Sequence, residues 1–142
     1  MNSDTIVSRG TIESLQAVMS TMPQVELETE HYFADGMYAR VLFRPKDTLI
    51  VGKVHRKEHF YIVAKGRVAV TTDDGVKEYE AGTIIVSAPG TKRAVLALED
   101  SICLTVHRSK KRNLKALERE LTYPDTKALF DERNKLKTKE LT

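Results

Sequence analysis

The feature that most constrains this chain is a run of short, β-branched segments through its middle with no helical period among them. From residue 25 to residue 107 apolar residues recur at every second position: Val25, Leu27 and Thr29 on one side, then Val41 and Phe43, then Leu49 and Val51, followed by HFYIVAKG, RVAVTT, VKEYEAG, TIIVSAPG, RAVLALED and SICLTVH. Alternation of this kind marks strands with two distinct faces. Gly66, Asp73-Asp74-Gly75, Gly82 and Pro89-Gly90 separate the segments. Of these breaks, Asp73-Asp74-Gly75 is the clearest, because Asp-Gly between valine-rich runs favours a hairpin with a primed turn. Short strands so punctuated predict an all-β sandwich or barrel.

Helical periods flank the strands. Residues 11–22 place Ile12, Leu15, Val18, Met19 and Met22 at three- and four-residue spacings, with Thr11 as a cap and Pro23 beyond the end. After His107, Leu114, Leu117 and Leu121 mark one further helix. A second follows Tyr123-Pro124, with Asp125 as N-cap and Leu129, Phe130, Leu136 and Leu141 behind it. The expected organisation is an N-terminal helical arm over 1–24, a β-barrel over 25–107 and a basic helical extension over 108–142 that packs on the barrel or on another subunit.

Composition narrows the function classes. At 142 residues, 41% hydrophobic and 30% charged, the chain has the profile of one globular domain. No apolar run approaches the ~18 residues of a membrane span, and the opening MNSDTIVSRG lacks the order of a signal peptide, so a soluble, cytoplasmic protein is expected. A single cysteine, Cys103, excludes an internal disulfide and the CxxC and zinc-finger readings. The net charge of +3 is concentrated at the end: from Arg108 onward there are 11 Lys/Arg against 6 Asp/Glu, and before it 12 against 14. Nucleic-acid binding through Lys110, Lys111, Arg112, Lys115 and Arg119 is not the expectation, because no aromatic stacking platform accompanies these charges. A solvated helical face accounts for them.

Three of the four histidines fall in the strand-rich region. In Gly52-Lys53-Val54-His55-Arg56-Lys57-Glu58-His59 a tight turn would aim His55 and His59 into one interior, where neutral imidazoles suit a divalent metal. The alternative is a surface turn beside Arg56 and Lys57. Glu58 is an unsuitable co-ligand, since neighbours on a strand point to opposite faces. On SICLTVH, His107 shares a face with Cys103 and Thr105, opposite Ile102, Leu104 and Val106. If the aliphatic face is core, His107 looks either to solvent or into a pocket. His31, alone after LETE, reads as a surface residue.

HFYIVAKG, then VAV, a hairpin and EAGTIIVSAPGTKR resemble the two motifs of the cupins over residues 37–107. The family's motifs run G-x5-H-x-H-x3,4-E-x6-G and G-x5-P-x-G-x2-H-x3-N. With Gly66 as the last glycine of the first, His59 stands where the family has Glu, His55 at the second His and Lys53 at the first. Gly82, Pro89 and Gly90 match the second motif loosely, and Arg93 stands at its third His. The resemblance implies a cupin double-stranded β-helix, a jelly-roll barrel with a short N-terminal helix and C-terminal helices. It implies a metal site of which His55 and His59 are the two matching positions; His107 from a neighbouring strand is the expected third ligand, with iron, manganese, nickel or zinc as the ion. It also implies a homo-oligomer, for which VELETEH would supply an exchanged segment. GKVHRKEHFYIVAKG, SAPGTKRAVLALEDS and TVHR further resemble short single-cupin proteins of tailed bacteriophages, whose setting is an infected cell or a virion.

Arg93 offers a fork of donors suited to carboxylate or phosphate, and Lys53 a second cation, so the expected ligand is a small anion. The competing reading pairs Arg93 with Glu99 or Asp100. Tyr61 has the parity of His59 and would either line the same cavity and donate its hydroxyl or pack in the core. Two functions follow: a metal-binding protein that holds or acts on a small anion, or a non-enzymatic scaffold, since a fold alone assigns no chemistry. No Ser-His-Asp set, P-loop or GxGxxG motif is present in the sequence.

Overall fold

The structure, a computed structural model, describes residues 9–19, 21, 24 and 26–124. Met22, Pro23, Val25 and the helix expected after Asp125 lie outside the described residues. The order is α1 (Arg9–Met19), β1 (Thr29–Ala34), β2 (Met37–Arg44), β3 (Leu49–Val51), β4 (His59–Lys65), β5 (Arg67–Thr72), β6 (Gly75–Glu80), β7 (Ile84–Ser87), β8 (Ala94–Ala97), β9 (Ser101–Arg108) and α2 (Leu114–Leu121). Thr11 falls inside α1, which begins at Arg9.

The strands form two antiparallel sheets: a five-stranded sheet ordered β1-β2-β9-β4-β7 and a four-stranded sheet ordered β3-β8-β5-β6. Among the described residues no strand pair joins the sheets, so the expected barrel is a two-sheet jelly roll. The core lies between them, with Tyr61, Val63 and Cys103 from the larger sheet against Val68, Val70 and Val95 from the smaller. Val63, Val68 and Val70 are completely buried. Gly66 carries the chain from one sheet to the other at a φ of +82°, and a Cβ there would meet Ser101 Oγ at 2.3 Å and the Asp100 carbonyl at 2.5 Å.

Two local expectations are corrected. The β5–β6 hairpin forms, but its turn is not primed: Thr72 pairs with Gly75, so the loop is Asp73-Asp74. Neither aspartate has a positive φ, and the left-handed residue is Gly75 at φ 105°. The second correction concerns faces. On β9 the buried residues are Ser101, Cys103 and His107, whereas Ile102, Leu104 and Val106 lie on the outer face and are half-exposed. The aliphatic face is therefore not the core. The same inversion holds on β2, where Tyr38, Leu42 and Arg44 are buried and Val41 and Phe43 look outward.

Helix α2 packs on one end of the larger sheet. Asn113 caps it by accepting from the Ala116 N–H. Leu117 and Leu121 are buried against Tyr38, with Phe33 and Leu114 around them.

Candidate metal centre

His59 opens β4 and His107 sits near the end of β9. Because Phe60 pairs with Val106, the two histidines fall in one row across the inner face. The third histidine comes from the β3–β4 loop. His55 is held there from both sides: its N–H donates to the Thr91 carbonyl (3.3 Å), and its carbonyl accepts from Gly90 (2.8 Å). Helix α2 closes the other side. His55 bridges to Thr122, the Arg56 N–H donates to Leu121 O (2.7 Å), and the Tyr123 N–H donates to Val54 O (2.9 Å). Lys53 and Lys57 form ion pairs with Glu118 (2.5 Å) and Glu120 (2.6 Å).

The three imidazoles converge. One ring nitrogen from each of His55, His59 and His107 lies within 4.8 Å of the others, and ring centroids are separated by 4.3, 4.7 and 5.5 Å. His59 and His107 are buried, His55 half-buried. Secondary contacts fix the rings. His59 Nδ1 donates to the Lys57 carbonyl (3.1 Å), which leaves Nε2 with its lone pair, and His107 Nε2 bonds Thr105 Oγ1 (2.8 Å), which leaves Nδ1. Tyr38 stacks on the His107 ring (5.8 Å) and bonds His31 Nδ1 (2.7 Å), so His31 is half-buried in an aromatic row and not a surface residue.

Burial sets the electrostatics. Desolvation first, then the charge of neighbouring histidines and Arg40, pushes His55 and His107 down to about 3, and desolvation with Arg93 lowers His59. All three are neutral near pH 7 and so present lone pairs. Three neutral nitrogens within reach of one ion, each held by a second contact or by loop bonds, fit a divalent transition metal.

Of the other expected residues, Arg93 immediately precedes β8 and its charge acts on His55 and His59. It is not paired with the two acids considered from sequence: Glu99 pairs with Arg67, and Asp100 accepts from the Lys46 N–H. Tyr61 faces inward, buried, two residues beyond His59. Lys53 directs its ammonium to Glu118, so its role here is to tie the His55 loop to α2. Sequence reasoning missed Arg40 and Arg44, because it read only Val41 and Phe43 on this strand and left the opposite face unassigned. The one signal available was their shared parity with Tyr38 and Leu42 on β2.

The sequence matches no family model and no curated protein. Among solved structures the chain is similar to KdgF from a Halomonas species, with TM-score 0.53 and 15% identity over 61% of this chain and 81% of that one. It is also similar to an RmlC-like cupin from Shewanella frigidimarina, with TM-score 0.52 and 18% identity over 61% and 79%. A Cupin 2 conserved barrel domain protein from Salinispora arenicola gives TM-score 0.51 and 15% identity over 59% and 76%. At such identities the likeness speaks for the fold, and with two facing sheets around a cluster of inward histidines the chain has the fold of the cupins.

Proposed function

We propose that this protein binds a divalent transition metal through His55, His59 and His107 and holds a small anionic molecule beside it. The observation that carries the reading is the convergence of three ligand nitrogens within 4.8 Å in a largely buried site. Iron, manganese, nickel and zinc all remain open as the ion. A metal so held supplies Lewis acidity or an activated water. The chain's own groups do the rest: Lys57 O and Thr105 Oγ1 orient two of the rings, the α2 ion pairs hold the His55 loop, and the Arg93 guanidinium orients an anion from the opposite sheet. Elemental analysis by plasma mass spectrometry on tag-free protein tests this, run beside a His55→Ala, His59→Ala variant. Near-stoichiometric metal in wild type that disappears from a folded variant is expected. Negligible metal in both, including after incubation with each of the four ions, refutes the reading.

A second reading, a non-enzymatic accessory or structural component such as a tailed phage encodes, is favoured by a different observation. The outer face of the larger sheet is apolar across three strands: Phe60, Ile84 and Val86 are 47%, 62% and 58% exposed, beside Ile62, Leu104 and Val106. A contiguous exposed apolar patch of this kind marks an association surface. The occupant we infer is a second copy of this chain. The centre of the face is apolar, with the charges of Glu30, Lys65 and Arg108 at its margins, and an identical face meets it in an isologous dimer.

A further inference from the structure

Beyond the histidines, the inward face of the larger sheet carries groups that the metal does not use. Arg44, the last residue of β2, pairs with Ser101 in the register and is only 7% exposed. Its guanidinium carbon lies 5.9 Å from the centre of the Tyr61 ring. The Arg44 Nε and Nη1 atoms are buried and have no hydrogen-bond partner. The same is true of Arg93 Nε and Nη1 and of Ser87 Oγ on the neighbouring strand, and the Tyr61 hydroxyl has only the weakly bonding Cys103 thiol beside it. Arg44 and Arg93 come from different sheets, and both charges act on the Tyr61 hydroxyl. Among the described residues no aspartate or glutamate is buried. The acid whose charge reaches Arg93 is Asp73, exposed in the β5–β6 loop, while Glu118 and Glu120 pair with lysines and Glu99 pairs with Arg67.

Buried guanidinium donors without an acceptor are among the costliest features a protein interior can hold, and a bound oxyanion satisfies them with paired, charge-assisted hydrogen bonds. We infer that Arg44, Arg93 and Tyr61 form an anion subsite, and that the site as a whole takes a small molecule with two oxyanion ends, one among these donors and one facing the histidines. The second end rests on the metal reading; the first does not. His59 and Tyr61 are two residues apart on one face of β4, a separation of about 7 Å. That spacing suits a dicarboxylate of roughly four to six carbons in all, its carboxyl carbons included.

The test is calorimetric titration of the full chain, chelator-treated and metal-loaded, with succinate, glutarate, acetate and inorganic phosphate. Succinate or glutarate is expected to bind the loaded protein at least about tenfold more tightly than acetate. Arg93→Gln and Arg44→Met each remove that advantage. In chelator-treated protein, binding of dicarboxylate or phosphate persists and stays arginine-dependent, including in a protein that proves to bind no metal, so failure of the metal reading is seen separately. Melting curves guard against a merely structural arginine. Arg44→Met raises the melting temperature of the ligand-free protein, because it removes an uncompensated buried cation, and abolishes stabilisation by the dicarboxylate. A lowered melting temperature with ligand stabilisation intact overturns the inference. So does equal affinity in the variants, or no saturable binding of any of the four anions in either form.

Discussion

Metal-free protein is expected to lose stability through its histidines as the pH falls. In the folded chain His55 and His107 do not take up a proton until about pH 3, against 6.5 when exposed. Between those values the unfolded chain binds more protons, so the stability is fully present above 6.5, declines as pH falls below it, and levels off near 3. At about pH 5 an unfolded histidine lies ~1.5 units below its own pKa, which costs the folded state about 2 kcal/mol per buried histidine. His107 contributes in full and the half-buried His55 in part, giving a loss of about 2–4 kcal/mol from about pH 7.5 to about pH 5. That is a large share of a domain stability of about 5–15 kcal/mol. The Glu120 carboxyl, held low by Lys57 and Ser109, titrates in a more acidic window and does not enter at pH 5. Urea unfolding followed by circular dichroism in the presence of chelator reads the effect as a drop in midpoint at constant slope. His107→Gln removes about 2 kcal/mol of the drop and leaves the share of His55 and His59. A wild-type midpoint that does not move between the two pH values would refute the placement of neutral, buried histidines.

Other outcomes follow from the packing. Gly66→Ala combines a left-handed backbone with a Cβ 2.5 Å from a carbonyl oxygen, and should cost about 2–4 kcal/mol; a loss under half a kilocalorie in urea titration contradicts that geometry. Leu117→Ala empties a buried position between α2 and Tyr38, with an expected cost of about 2–4 kcal/mol and weakened metal retention, because α2 braces the His55 loop; metal affinity equal to wild type refutes the brace. Val86→Asp, 58% exposed on the outer sheet face, leaves the fold intact and dissociates the proposed dimer in light scattering; a monomeric wild type, or an unaltered dimer in the variant, removes the self-association proposal.

Much was legible in the residues themselves. Alternation with glycine and proline breaks gave the strands, and the spacing of His55 and His59, with a third histidine on a later strand, pointed to the cluster that the structure assembles. The similarity of Gly66 and Pro89-Gly90 to cupin motifs pointed to the fold. What misled was the assumption that the more aliphatic face of a strand is its inner one. On β2 and β9 the reverse holds: Arg44, Cys103 and His107 are buried, and Val41, Phe43, Ile102 and Leu104 are not. Lys53, read as a ligand-binding cation, instead meets Glu118, a residue 65 positions away.

A period of two in the chain determines which side chains share a face, because successive Cβ atoms must point to opposite sides of a pleated strand. It does not determine which face is inside. That was decided by the second sheet and by α2, whose docking turned the histidine-bearing face inward and stripped it of water, making three surface-type imidazoles into a neutral cluster and two arginines into donors without acceptors.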